Sequence, residues 1–276
     1  MNNVLIAFLL TLFAGLSTGI GSILAFFTKK TNKTFLSVSL GFSAGVMVYV
    51  SFVEILPKAE ESLIKALGPG AGAWAAVGSF FLGIMVILVI DKLVPEYENP
   101  HHPQKESEIK RELGEKVNKS EEEVEDKDQL LRMGKLSALA IMIHNFPEGL
   151  ATFAAALDDP ALGLSIAIAI AIHNIPEGIS VSIPIYYATG DRRKALLVSF
   201  LSGLSEPLGA LIGFVALRAI FNDFLFGILF GIVAGIMVFI SVDELLPTSR
   251  QYGSGHKEIY GFMAGMAVMA LSLLLF

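Results

Sequence analysis

The chain contains no cysteine, which removes disulfides and thiolate metal sites together and leaves imidazole, carboxylate and amide groups as the available metal ligands. Charge is scarce as well: Asp, Glu, Lys and Arg supply 17% of the 276 residues, against 54% for hydrophobic types. Long stretches carry no charge at all, a pattern that identifies an integral membrane protein. The formal net charge of -6 comes largely from one loop and points to no nucleic-acid partner. The start, Met1-Asn2-Asn3, has no basic stretch. The apolar run that follows reaches Phe27, about 24 residues and long enough to span, so it reads as a retained helix and not as a cleaved leader.

A window of about 20 apolar residues gives eight spans, near 4–27, 35–56, 72–94, 134–157, 161–186, 195–218, 224–246 and 257–276. The expected fold is all-α. With the N-terminus outside, seventeen of the twenty Lys and Arg fall in inner loops, leaving Lys58, Lys65 and Arg218 outside. The positive-inside rule therefore puts both termini outside the cytoplasm. The chain divides into residues 1–94 with spans one to three, a cytoplasmic loop at 95–133, and residues 134–276 with spans four to eight. The loop is rich in Glu and Lys, holds Pro100-His101-His102-Pro103, and lacks the apolar content for a packed domain, so disorder or a loose helix is expected. His101 and His102 read either as part of a solvated linker or as a metal-capturing tract.

Two internal repeats organise the spans. Residues 41–57 match 231–247, with Gly41/Gly231, Ala44/Ala234, Gly45/Gly235, Met47/Met237, Ser51/Ser241, Glu54/Glu244 and Pro57/Pro247 in register. Residues 14–26 match 202–214 at nearly the same offset, so span one resembles six and span two resembles seven. Related spans run in opposite directions through the bilayer in this topology. The result is an inverted repeat, spans one to three against six to eight with four and five at the centre, a 3+2+3 arrangement that recurs in transporters.

His144-Asn145-Phe146-Pro147-Glu148-Gly149 recurs as His173-Asn174-Ile175-Pro176-Glu177-Gly178. Ionisable groups in hydrocarbon cost several kcal/mol unless they are used. Residues four apart share a helix face, so His144 sits over Glu148 and His173 over Glu177. Counted from a turn at Asp158-Asp159-Pro160, both histidines lie roughly 20 Å deep, and Glu206 on span six reaches a similar depth. Each motif proline deletes a helical hydrogen bond and frees a carbonyl, at Ile143 or Ile172, which membranes tolerate where a cavity is lined. Gly149, Gly178, Gly203 and Gly209 let backbones approach closely. A divalent cation shedding water needs such N and O ligands. His144, Glu148, His173 and Glu177 suit four-coordinate zinc. Asn145, Asn174 and Glu206, with bridging oxygens from Glu148 and Glu177, form a harder, oxygen-rich set closer to Mn or Fe(II). Zn, Fe, Mn, Co and Cd share these ligands as cargo, and no resident cofactor is expected.

The HNxPEG pairs, Ser205-Glu206-Pro207, eight spans and a His-bearing loop resemble the ZIP (Zrt/Irt-like) metal transporters in their bacterial branch, over essentially the whole membrane portion. That resemblance implies a binuclear metal centre at His144, Asn145, Glu148, His173, Asn174, Glu177 and Glu206. It also implies metal uptake across a bacterial or archaeal plasma membrane, a homodimer, and an elevator-like movement of spans one, four, five and six. Glu54 near the outer end of span two, with Asp91, Asp243 and Glu244 near the inner ends of spans three and seven, are candidate relays along the path; Ser43 and Met47 are candidate lining residues. The alternatives are an intramembrane binuclear metalloenzyme, a protease or lipid hydrolase, and a passive channel. Asn145 and Asn174 occupy the positions where HExxH zinc proteases carry their basic Glu, and a saturated ligand set leaves no open catalytic position. A channel favours weaker rings of carbonyls or carboxylates.

Overall fold

The computed structural model describes residues 3–24, 32–93, 119–158, 160–217 and 222–275. Every element among them is helical. In order they are α1 (Asn3–Leu24), α2 (Lys33–Val50), α3 (Leu56–Leu67), α4 (Pro69–Leu93), α5 (Lys119–Asp158), α6 (Pro160–Thr189), α7 (Arg192–Gly203), α8 (Ser205–Ile212), α9 (Asp223–Ile240), α10 (Leu246–Tyr252) and α11 (Lys257–Leu275). Among the described residues, seven stretches are long and apolar enough to cross a membrane: Asn3–Ile23, Lys33–Leu67, Pro69–Val89, Ile166–Thr189, Arg192–Val215, Asp223–Tyr252 and Lys257–Leu275. The fourth span expected from the sequence lies inside α5, whose first half is charged and whose second half carries the polar hexapeptide. Large apolar side chains such as Trp74, Phe81 and Leu274 face outward while serines, histidines and glutamates are buried, the reverse of a soluble protein and the arrangement a lipid solvent selects.

Two boundaries differ from expectation. The span expected at 134 begins at Lys119, so the last part of the expected loop, residues 119–133, is helix. Leu130 and Met133 are buried there, and it is this apolar anchorage that the charge-rich composition of the segment hid. Residues 94–118, with His101 and His102, lie outside the described residues. The second expected span does not stop at 56 but runs on through α3.

Proline causes that continuation to bend. Pro57 has no N–H to donate and its ring crowds the carbonyl four residues back, and the helix responds with a wide π turn over Ser51–Ile55, where Leu56 N–H bonds Ser51 O. Pro247 produces the same turn over Ser241–Leu245, with Leu246 N–H bonded to Ser241 O. Such turns cluster at functional positions, and here they carry Glu54 and Glu244. The two bent units start alike as well. Asn32 caps α2 by accepting from Phe35 N–H, and Asn222 caps α9 by accepting from Leu225 N–H.

The repeat therefore extends from sequence into packing. α2 packs along α11 while α9 packs along α4. A Cβ on Gly45 would strike the backbone of Phe262, and one on Gly235 that of Phe80. α1 packs on α6, and α5 on α6 and α8, again with matched contacts: Gly178 lies against the Thr18 backbone and Gly149 against that of Glu206. Bare backbone at these crossings is what allows helices to meet without a hydrophobic driving force between them.

Gly45→Ala and Gly235→Ala should therefore each overpack a crossing, at about 1–3 kcal/mol, and lower the thermal midpoint of the detergent-purified protein by similar amounts. Gly78→Ala, where nothing lies within 4 Å of the added carbon, should leave the midpoint unchanged or raise it.

Candidate metal centre

α5, which ends at Asp158, and α6, which begins at Pro160, meet through their two hexapeptides. His144, Asn145, Glu148, His173, Asn174, Glu177 and Glu206 are all buried, none more than 4% exposed. The sequence places each histidine over the glutamate of its own helix, and the structure pairs them across helices at least as closely. His144 Nε2 lies 2.7 Å from Glu177 Oε1 but 3.9 Å from Glu148 Oε2. His173 Nε2 lies 3.3 Å from Glu148 Oε2. The 2.7 Å pair is close but poorly aligned as a hydrogen bond, so both Glu177 oxygens and both His144 nitrogens lack a hydrogen-bond partner.

A second group sits beside the first. Asn174 Nδ2 donates to Glu206 Oε2 at 2.8 Å and to the Ala14 carbonyl at 2.9 Å. Asn145 Nδ2 donates to the Ser202 carbonyl at 3.5 Å. Ala14 and Ser202 are repeat-related, so the two amides are held alike. A backbone carbonyl only accepts, which fixes each amide nitrogen toward it and turns the oxygen the other way. Asn145 Oδ1, Asn174 Oδ1 and Glu206 Oε1 are buried without partners. Symmetry fails at one position: where Glu206 stands on α8, α1 has Thr18, whose buried hydroxyl also lacks a partner.

Among the described residues no three His, Asp or Glu side chains already surround a single point as metal ligands. The four form a chain instead, Glu177 to His144 to Glu148 to His173. Around a tetrahedral zinc, ligand atoms about 2.0–2.2 Å from the ion stand roughly 3.3–3.5 Å apart. The observed gaps of 2.7, 3.3 and 3.9 Å between neighbouring pairs straddle that value, and an ion would have to draw the ends of the chain together to take all four. Buried polar atoms without partners are costly, and this many lone pairs in one place fit a site whose ligand is a cation.

The centre opens to one side. A cavity of about 210 Å³ has Glu148 and His173 among its lining, with Thr152, Ile170 and Phe230 along its walls and Glu54 and Lys58 from the bent α2–α3 unit. The repeat supplies a counterpart for each of these: Glu177, His144, Val181, Ile141, Leu40, Glu244 and Thr248. The inner members of both sets are buried alike. The two sides differ at their mouths: Glu54 is partly exposed and Lys58 exposed, whereas Glu244 and Thr248 are buried, so one mouth is open and the repeat-related mouth is sealed.

Of the expected path residues, Glu54 lines the cavity. Glu244 is buried and Asp243 partly so in the equivalent π turn, while the side chain of Asp91 lies outside what the structure describes. Ser43 is buried and donates to the Pro176 carbonyl at 2.7 Å. Met47 packs in the apolar core. Lys58 was not among the site residues expected from the sequence. Its spacing of four from Glu54 was the available signal, since that spacing makes an ion pair on a helix face.

Comparison with known proteins covers almost the whole chain. The family described as ZIP Zinc transporter matches residues 2–273. A protein of Clostridium perfringens called zinc transporter ZupT is 63% identical over 279 residues, covering 100% of this chain and 98% of its own. Proteins of the same name from Nitratidesulfovibrio vulgaris and Streptococcus mutans are 60% and 57% identical, over 99% and 98% of this chain and 98% and 97% of their own.

Glu148 contacts both imidazoles and lines the cavity. Adding Zn²⁺ should raise the thermal midpoint of the purified protein, as any ligand of the folded state does, and Glu148→Gln should remove most of that rise.

Proposed function

The chain belongs to the ZIP family of zinc transporters, multi-pass membrane proteins that are not enzymes, and on that premise we propose that it takes Zn²⁺ into the cytoplasm through the centre between α5, α6 and α8. The observation that carries this reading is the cavity on one side of buried, unpartnered ligands and the seal on the repeat-related side. A path closed at one end and open at the other is what alternating access requires, and a repeat that runs in both directions lets each half play either part. The metalloenzyme reading gains no support, since the family transports.

Eight spans in a 3+2+3 inverted repeat with both termini outside remain our reading of the topology, because Lys and Arg distribution favours it. In that topology the cavity, on the side of the Asp158–Pro160 turn, faces outward. The His144, Glu148, His173 and Glu177 set takes a zinc ion. Asn145, Asn174 and Glu206, with the carboxylates shared, take a second divalent ion with more oxygen character; Fe(II), Mn(II), Co(II) and Cd(II) are further cargo. Three ionised carboxylates nearly cancel two divalent ions, which is what makes the loaded centre tolerable in hydrocarbon. No cofactor is needed. Asp91, Asp243 and Glu244 stay proposed as relays beyond the centre, and His101 and His102, in the cytoplasmic loop, as residues that capture the metal where it leaves. A homodimer in the bacterial or archaeal plasma membrane completes the proposal.

Movement follows from packing. α1, α5, α6, α7 and α8 pack mainly on one another, while α2, α3, α4, α9 and α11 form the other group. We assign the first group to the moving unit of an elevator. Two hydrogen bonds cross the boundary on the sealed side, Ser43 Oγ to Pro176 O at 2.7 Å and Tyr187 OH to Asn32 O at 2.8 Å. At the repeat-related positions stand Val233 and Asp158, so these ties favour one state over the other.

Glu177→Ala or His173→Ala should abolish zinc uptake into proteoliposomes while the protein still purifies as a folded species; uptake at the unmutated rate would refute the assignment. In Glu206→Lys an ammonium takes the place of the second ion, and bound metal per chain should fall from two to one. Because the chain has no cysteine, single cysteines report access directly. A thiol at Ala154 or Phe226, which line the cavity and are less buried, should react with an impermeant reagent added outside cells, and one at Leu40 or Val181 should not; the opposite pattern reverses the orientation.

A further inference from the structure

The mouth of the cavity carries a positive charge, which is an obstacle on a route for cations. Lys58 lines the cavity together with Glu54, and its Nζ sits 2.7 Å from Glu54 Oε1. The other oxygen, Oε2, is buried and has no hydrogen-bond partner. One carboxylate thus faces one ammonium with half of its acceptor capacity unused. At the repeat-related mouth Glu244 recurs, but the position of Lys58 is taken by Thr248. The acid belongs to both mouths, and the ammonium to the outer one only.

We propose that Lys58 is a specificity-determining residue: a tethered competitor that holds Glu54 until a divalent ion displaces it, making Glu54 a staging site above His173 and Glu148. This rests on the transport reading given above. Coulomb energy scales with the product of charges. A monovalent ion offers Glu54 nothing that the ammonium does not already supply, and the ammonium, held on the same helix one turn away, has the advantage of a high local concentration. A divalent ion doubles the attraction and wins the exchange. The Lys58 side chain is 46% exposed even when paired, so the displaced ammonium swings into water at little cost. Once the ion moves down to Glu148 and His173, Lys58 returns to Glu54 and opposes its escape.

The test is zinc uptake by cells expressing the full-length chain, with KM measured in sodium chloride and in choline chloride of equal ionic strength. Lys58→Met should lower KM about fivefold, the scale of a partly exposed ion pair acting on a dication, and should make uptake weaker in sodium than in choline. Lys58→Gln should do the same, which guards against a packing effect of methionine. Glu54→Gln should raise KM by leaving the ammonium unpaired, and in Glu54→Gln with Lys58→Met the sodium sensitivity should vanish because its binding group is gone. An unchanged or raised KM in both Lys58 variants, or sodium sensitivity that survives in the double variant, would overturn the proposal. Absence of zinc uptake by the unmutated chain would instead overturn the transport reading on which it rests.

Discussion

Putting ionisable groups into an apolar bundle is tolerable only if they answer one another, and the rest of this structure follows from how His144, Glu148, His173 and Glu177 do so. Each histidine reaches the glutamate of the other helix, so neither hexapeptide is complete alone. For those side chains to meet, α5 and α6 must lie at one register. For α1 and α8 to close around them, backbone must touch backbone, and glycine stands at those crossings: Gly178 against Thr18, Gly149 against Glu206. Removing one partner from such a set leaves a buried polar group unanswered, which costs more than the pair contributes. The polar centre therefore dictates where small residues are needed.

The same logic explains why symmetry is kept in the frame and broken in the detail. Both proline-induced π turns, both asparagine caps and both pairs of glycine crossings recur. These are backbone devices, and a backbone that serves two directions has to repeat them. Side chains at the centre, at the cavity and at one helix contact differ: Glu206 against Thr18, Lys58 against Thr248, Ser43 against Val233. Each substitution changes charge or hydrogen-bonding capacity without altering the path of the chain. A transporter with identical halves would have no reason to rest in one state, whereas these differences give one.

Much of the centre was legible in the sequence because it depends on spacing within single helices. The hexapeptides, Glu206 at a similar depth and the two repeats all rest on counting residues along a helix, and the structure brings those side chains together. Partner choice was not legible: the four-residue rule sees only neighbours on one helix, and the closest contact of His144, to Glu177 at 2.7 Å, crosses to another. The beginning of α5 at Lys119 was hidden for a different reason. Its charged residues read as solvated loop, and only the burial of Leu130 and Met133 ties them to the bundle. The seal was the least accessible, since Glu54 and Glu244 occupy matched positions and are the same residue, yet one lines the cavity and the other is buried.

That last contrast says what kind of information a sequence with an inverted repeat holds. On the alternating-access reading proposed above, a second arrangement would exchange the roles of the halves and reuse the repeated backbone devices. It would give up polar contacts such as Ser43 to Pro176 and Tyr187 to Asn32, each worth about 0.5–1.5 kcal/mol net. A gap of that size sets populations without forbidding either state. A cation shifts that balance only by the difference between its affinities for the two arrangements, so the cargo decides which side is open only where the centre answers it unequally in the two. A near-degenerate frame keeps the difference required small.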